Sequence, residues 1–210
     1  MHTGPENIPE SRFSFDAQVN YRDWIETFQP AFKACATAGA ISYMCSYNAI
    51  NGVPACANRE LLTDILRDSW KFDGFVVSDC GAVGNVYHRH NFARSDTEAA
   101  EFCVKAGCDW NCGMFKHYTC CTIINTPNSS NMQFYIIYYI MAIKDTKAII
   151  LCKTLLSLTC TAGHEYQSLA TSVQEGTMSK EELSMSVVRL MKAFIMLGAL
   201  DPPDMVPYSK

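Results

Sequence analysis

Two short apolar runs, Ile41 to Ser46 and Gly74 to Ser78, lie between segments with helical periodicity. That alternation constrains the fold more than any other feature of the chain. Short buried strands separated by amphipathic helices and brief loops make a parallel α/β sheet. Asn20 is placed to cap a helix from about Tyr21 to Ala38, with Trp24, Phe28, Phe32 and Cys35 on one apolar face. Pro30 falls inside it and should kink or interrupt it, and Gly39 should end it. Asn51-Gly52 and Pro54 mark turns. Asn58 should cap a helix from Arg59 to about Trp70, with Leu61, Leu62, Ile65 and Leu66 inward. Asp73-Gly74 is a turn, and Thr97 should cap a helix to Ala106 with Gly107 beyond its end. Further on, Ser179 and Glu182 form a capping-box pattern. Leu183, Val187, Leu190, Met191, Phe194 and Leu197 then recur at helical spacing up to Gly198.

Residues 115–163 break this logic. Asp145 is the only acidic residue among these 49 positions, and Ile, Tyr, Leu, Thr, Cys and Lys dominate. The apolar stretch from Met132 to Ile143 is 12 residues long, where a membrane-spanning helix needs about 20. No transmembrane segment is expected. The chain divides into an ordinary globular part over 1–114, an anomalous insert over 115–163 that reads as translated non-coding sequence such as a retained intron, and a well-patterned part over 164–210.

Composition narrows the function. Apolar residues are 49% of the 210 and charged residues 18%, enough for a core and too apolar for disorder. The net charge of −4 argues against a general nucleic-acid or anionic-membrane partner. Eleven cysteines imply metal or redox chemistry in a reducing compartment, or disulfides in an oxidising one. Met1 to Glu6 has neither a basic nor an apolar signal-peptide region, so the chain is either cytosolic or does not start at the true beginning. The sulfur spacings Cys108-x3-Cys112 and Cys120-Cys121 lack a convincing second pair for zinc. A thiol nucleophile at Cys80 with His88 or His90 as base is a weaker alternative still.

Two blocks carry a specific resemblance: Met44-Cys45-Ser46-Tyr47-Asn48-Ala49-Ile50-Asn51-Gly52-Val53-Pro54-Ala55-Cys56-Ala57-Asn58 and Phe72-Asp73-Gly74-Phe75-Val76-Val77-Ser78-Asp79-Cys80. Ser11 to Ala17, Ala106 to Gly113 and Leu197 to Tyr208 support them. Over about residues 2–114 and 164–208 the chain resembles glycoside hydrolase family 3, in particular its β-xylosidase-like branch. The resemblance implies an incomplete (β/α)8 TIM-barrel fragment of α/β class, interrupted by the insert. The remainder, 164–210, would be the end of the barrel domain and the start of a linker to a second domain.

The resemblance assigns the family's nucleophile to Asp79. A strand end is where barrel enzymes place catalytic groups, although an isolated Asp there is usually a turn former or helix cap. Met44 and Tyr47 match the block that lines the sugar subsite beside the nucleophile. Arg12 and Glu6 fall in a loop from which they would reach sugar hydroxyls. Cys45–Cys56 and Cys80–Cys112 are the disulfides the resemblance makes plausible. No metal and no cofactor is implied.

The implied activity is retaining, exo-acting removal of terminal β-linked xylose or glucose from an oligosaccharide or glycoside, in an extracellular setting. Cys80, where glucosidases of the family more often carry Trp, tilts the choice toward xylose. Three departures oppose activity of this chain alone. The family's Lys-His-Phe motif would precede Met1; Lys116-His117-Tyr118 mimics it at the wrong position. The family's acid/base usually comes from the second domain. The insert occupies what is a short connection in the family. The competing readings are a non-catalytic sugar-binding or pseudoenzyme fragment, an interaction protein that has lost its catalytic context, and a product of a faulty gene model.

Overall fold

The computed structural model describes residues 11–112 and 164–198, together with 201, 202 and 205. The insert expected at 115–163 lies outside the described residues, as does Glu6.

The two apolar runs form the centre. Strand β2 (Ser42–Cys45) pairs in parallel with β5 (Phe75–Ser78), in the register Tyr43↔Val76 and Cys45↔Ser78. A third parallel position follows at Trp110, which bridges Val77. The Asp109 and Trp110 amides donate to the Val76 carbonyl, and the Ser78 amide donates to the Trp110 carbonyl at 2.8 Å. Successive strands of this sheet are therefore neighbours, with helices in the connections between them. Gly74 opens β5 because a Cβ there would run into the Ile41 carbonyl. A second small sheet joins β1 (Asp16–Ala17), parallel, to β3 (Ala49–Ile50), and β3, antiparallel, to β4 (Val53–Pro54). Its tight turn is Asn51-Gly52, both at positive φ (49° and 86°), the geometry that twists a two-residue hairpin correctly.

The helices follow the predicted segments with instructive differences. Tyr21–Asp23 is capped by the Asn20 side chain, as predicted. The chain continues through a wide turn, Trp24–Phe28, into the Gln29–Thr37 helix. Pro30 has no N–H to give the carbonyl four residues back, and the helix answers by widening one turn earlier instead of breaking. The apolar face predicted on this helix is not buried: Phe28 and Phe32 are 53% and 57% exposed, and Cys35 is exposed. Periodicity identified the face, but no described element lies over it. Glu60–Ser69 is also widely wound, and it buries Leu62 and Leu66 as predicted. Ser95, not Thr97, caps the Asp96–Ala106 helix, accepting from the Glu98 amide, and Gly107 ends it at φ +109°. Ser and Thr are both good caps, and the true one lies two residues earlier.

The Ala82–His88 helix was not anticipated; it begins after Gly81 at φ +82°. Leu169–Glu175 and Lys180–Met196 complete the described fold, the latter with the predicted capping box of Ser179 and Glu182. Its predicted stripe is partly covered: Leu183, Val187, Leu190, Met191 and Phe194 are half-buried, while Leu197 is 45% exposed.

The core lies between β2/β5 and the helices. Val76, Val83, Ala99, Ala100, Cys103 and Cys108 are fully sequestered. One buried charge cluster ties its far end together. The Asp109 side chain has no exposure, and it receives Arg67 at 2.6 Å, Arg189 at 2.9 Å and the Val76 amide at 2.8 Å. Arg67 also donates to the carbonyls of Gly74 and Gly107.

The flanks of the 115–163 segment meet in the same core. Asn111 donates to the Glu165 carboxylate at 2.7 Å, and the Tyr166 hydroxyl donates to the Cys108 carbonyl at 2.8 Å. Gly84 leaves room for Glu165: a Cβ there would stand 2.6 Å from Oε1.

Candidate active site

Asp79 stands immediately after β5, half-buried, at the C-terminal end of a parallel strand. Its amide donates to the Cys45 carbonyl at 2.9 Å, which extends the β2–β5 ladder by one bond. Its carbonyl accepts from the Ala82 amide, so the chain turns directly into the next helix. Carboxylate Oδ1 accepts from the Cys80 amide at 2.7 Å. The side chain is thereby held in a defined direction at a strand end.

The turn behind it is fastened to the neighbouring strand. Cys80 and Cys112 form a disulfide. Gly81 donates to the Cys112 carbonyl, and the Cys112 amide donates to Ser78 Oγ at 2.9 Å. Cys45 and Cys56 form a second disulfide, which closes the loop that contains Tyr47. Because Cys80 is bonded, the thiol-nucleophile alternative is overturned: its sulfur is no free thiolate.

Tyr47 is the neighbour that the geometry ties most closely to Asp79. Its hydroxyl donates to the Cys80 carbonyl at 2.9 Å, one residue beyond the aspartate. Its ring meets Phe13 edge-on, with centroids 4.7 Å apart, and the Arg12 guanidinium lies over the Phe13 ring, 4.7 Å from its centroid. Arg12, Phe13 and Tyr47 thus form a chain of contacts leading to the Asp79 turn, with Arg12 exposed at its outer end. Met44 lies opposite Val77 in the ladder and is 59% exposed. It shares a face with Phe75, Val77 and Trp110, where Phe194 reaches the Trp110 ring at 6.3 Å.

Sequence reasoning named His90 only as a base for a Cys80 thiol; the structure instead places its Nε2 2.7 Å from the Tyr47 carbonyl. A carbonyl only accepts, so Nε2 carries the proton and the imidazole fixes the Tyr47 loop from behind. Sequence reasoning missed Phe13, the platform between Arg12 and Tyr47. The His90 contact spans 43 residues, and no local pattern announces such a pairing.

The chain matches the sequence profile described as the Glycosyl hydrolase family 3 N terminal domain over residues 18–125. It belongs to that family. It is 33% identical over 202 residues to a protein of Aspergillus fumigatus named "Probable exo-1,4-beta-xylosidase bxlB", covering 94% of this chain and 20% of that protein. Against the exo-1,4-beta-xylosidase bxlB of Emericella nidulans the identity is 47% over 107 residues, 49% of this chain and 14% of that protein. Among solved structures, a GH3 exo-beta-xylosidase (XlnD) in complex with a xylobiose aziridine activity based probe superposes with a TM-score of 0.66 at 27% identity, over 95% of this chain and 20% of that one. A beta-glucosidase of Listeria innocua in complex with glucose gives a TM-score of 0.63 at 26% identity, over 90% and 19%. The chain therefore spans about a fifth of the length of the relatives it matches.

Proposed function

We propose that this chain carries the nucleophile half of a retaining family 3 exo-glycosidase that removes terminal β-linked xylose, with glucose as the second choice. Asp79 attacks the anomeric carbon, the leaving-group oxygen departs with a proton, and a glycosyl ester on the carboxylate is then hydrolysed by water. Met44, Tyr47, Arg12 and Glu6 hold the sugar. The proton comes from an acid in the second domain that the family resemblance implies, so residues 1–210 supply the nucleophile and not the group that protonates the leaving oxygen of a natural disaccharide. The observation that carries this reading is the placement of Asp79: an oriented carboxylate at the end of a parallel strand, braced by Tyr47 and Cys112.

The sequential parallel order of β2, β5 and Trp110, with helices between, supports reading the fold as part of a (β/α)8 barrel. The two disulfides support an oxidising, extracellular setting. The contacts of Asn111 with Glu165 and of Cys108 with Tyr166 support reading residues 115–163 as an insertion between segments that belong together.

Two substrates test the reading. Dinitrophenyl β-xyloside has a leaving group that needs no proton, and this chain should cleave it in a manner that Asp79→Asn abolishes. Xylobiose should lag by a further factor of about 10²–10⁴, the usual contribution of acid catalysis. Cleavage by Asp79→Asn at the unsubstituted rate contradicts the assignment. The short span relative to the relatives favours one second reading, sugar binding without chemistry. Xylose binding with no turnover of either substrate would select it.

A further inference from the structure

Three sulfurs meet beneath the strand that leads to Asp79. Cys45 ends β2, Cys56 lies in the Ala55–Ala57 turn, and Cys108 follows the Asp96–Ala106 helix. All three are buried, at 3% exposure or less. Cys45 and Cys56 are bonded, whereas Cys108 is a free thiol whose Sγ lies 3.8 Å from Cys45 Sγ. The three sulfurs fall within 4.8 Å of one another. The mechanism proposed above uses none of them as a reacting group.

We propose that, once the Cys45–Cys56 bridge is reduced, Cys45, Cys56 and Cys108 form a three-thiolate site for a thiophilic closed-shell metal ion, Cu(I) in preference to Zn(II). Sulfurs bonded to one such ion at about 2.3 Å lie about 3.8–4.0 Å apart. Cys45 and Cys108 already have that spacing, and reduction frees Cys56 to take it up. Soft thiolates select Cu(I) and zinc. Only three donors converge, which suits Cu(I) better than zinc, whose structural sites take four.

Each thiol gives up its proton to bind the ion, so binding is linked to proton release. The Arg67 guanidinium favours the Cys108 thiolate and offsets part of the cluster's charge. The chemistry balances with a phosphine as reductant. Phosphorus is oxidised to the phosphine oxide, water supplies the oxygen and two protons, and the disulfide takes up two electrons to become two thiols. Three thiols then lose three protons to bind one ion.

The test is residue-resolved alkylation of the phosphine-reduced full chain under anaerobic conditions, with and without Cu(I) or Zn(II), read by peptide mass spectrometry. With free Cu(I) at ten times its dissociation constant, alkylation of Cys45, Cys56 and Cys108 should slow together by about tenfold. Zn(II) should protect them less. Cys108→Ser should remove the protection from Cys45 and Cys56, while Cys103→Ser should leave it in place. Cys35, a free and exposed cysteine, serves as the internal control. Reoxidised Cys108→Ser must still form Cys45–Cys56, which separates loss of a ligand from loss of the fold. Alkylation that Cu(I) does not slow, or protection that survives Cys108→Ser, overturns the proposal.

Discussion

At the scale of single residues, the most consequential group outside the site is Asp109. It is fully enclosed and holds two arginines and a backbone amide. Removing one partner of a buried ion pair leaves an uncompensated charge, which costs roughly 3–5 kcal/mol. Asp109→Ala should therefore lower the urea midpoint by that equivalent with an unchanged slope, and a loss under 1 kcal/mol would show that Arg67 and Arg189 find other partners. The sequence displayed Asp109 only as one letter of a resemblance block, since nothing local reveals that residues 67 and 189 converge on it.

A second effect follows from burial of the thiol. The folded state holds the Cys108 proton up to about 12, above the ordinary thiol value near 9. The raised value favours folding while the thiol is protonated in both states. That contribution is fully present below about pH 9 and is lost as pH rises toward 12, because the unfolded chain releases the proton first. Stability should fall across that window, and Cys108→Ala should make the fall shallower in urea titrations at stepped pH. Burial raises the neighbouring groups Cys103 and Tyr166 in the same direction, so the fall should be reduced and not abolished.

At the scale of elements, the β–α–β alternation was legible because the strands are short apolar runs set between helical periods, and the flanking caps Asn20, Asn58 and Ser179 are local chemistry. The Asp79 turn was legible for the same reason, being the end of such a run. The expectation that the first run is fully buried fails, since β2 leaves Ser42 and Met44 exposed. What escaped was non-local. The Ala82–His88 helix is short and opens on Gly81 without a side-chain cap, so neither capping nor periodicity marked it. The face of Phe28 and Phe32 was read as apolar and the structure leaves it exposed, since burial depends on a covering layer that periodicity does not specify. Tyr47 could be named from its block, but its tether to Cys80 and its support from His90 belong to the fold. Reducing the Cys80–Cys112 bridge, which spans 32 residues, should cost about 3–4 kcal/mol by loop-closure entropy. Thermal melts with and without reductant, compared with Cys80→Ser/Cys112→Ser, measure it. A melt unchanged by reductant would show that the hydrogen bonds from Gly81 and Cys112 suffice.

At the scale of the whole molecule, the chain belongs to the Glycosyl hydrolase family 3 N terminal domain and corresponds to about a fifth of its relatives. The residues on either side of 115–163 pack against each other through Asn111, Glu165, Cys108 and Tyr166. Replacing that segment with a short linker should therefore preserve or raise the melting temperature and keep both disulfides. Loss of cooperative unfolding in the shortened chain would show that the segment is part of the fold.

The central claim is that Asp79 is the residue that bonds to sugar, and trapping that bond tests it most directly. A 2-deoxy-2-fluoro-β-xylosyl fluoride combines a leaving group that needs no acid with a fluorine that slows hydrolysis of the resulting ester. Peptide mass spectrometry after incubation should place one fluoroxylosyl group on Asp79, with none in Asp79→Asn. A fluoroxylosyl group found on another carboxylate, or an Asp79→Asn chain that labels as well as the unsubstituted one, would contradict the assignment.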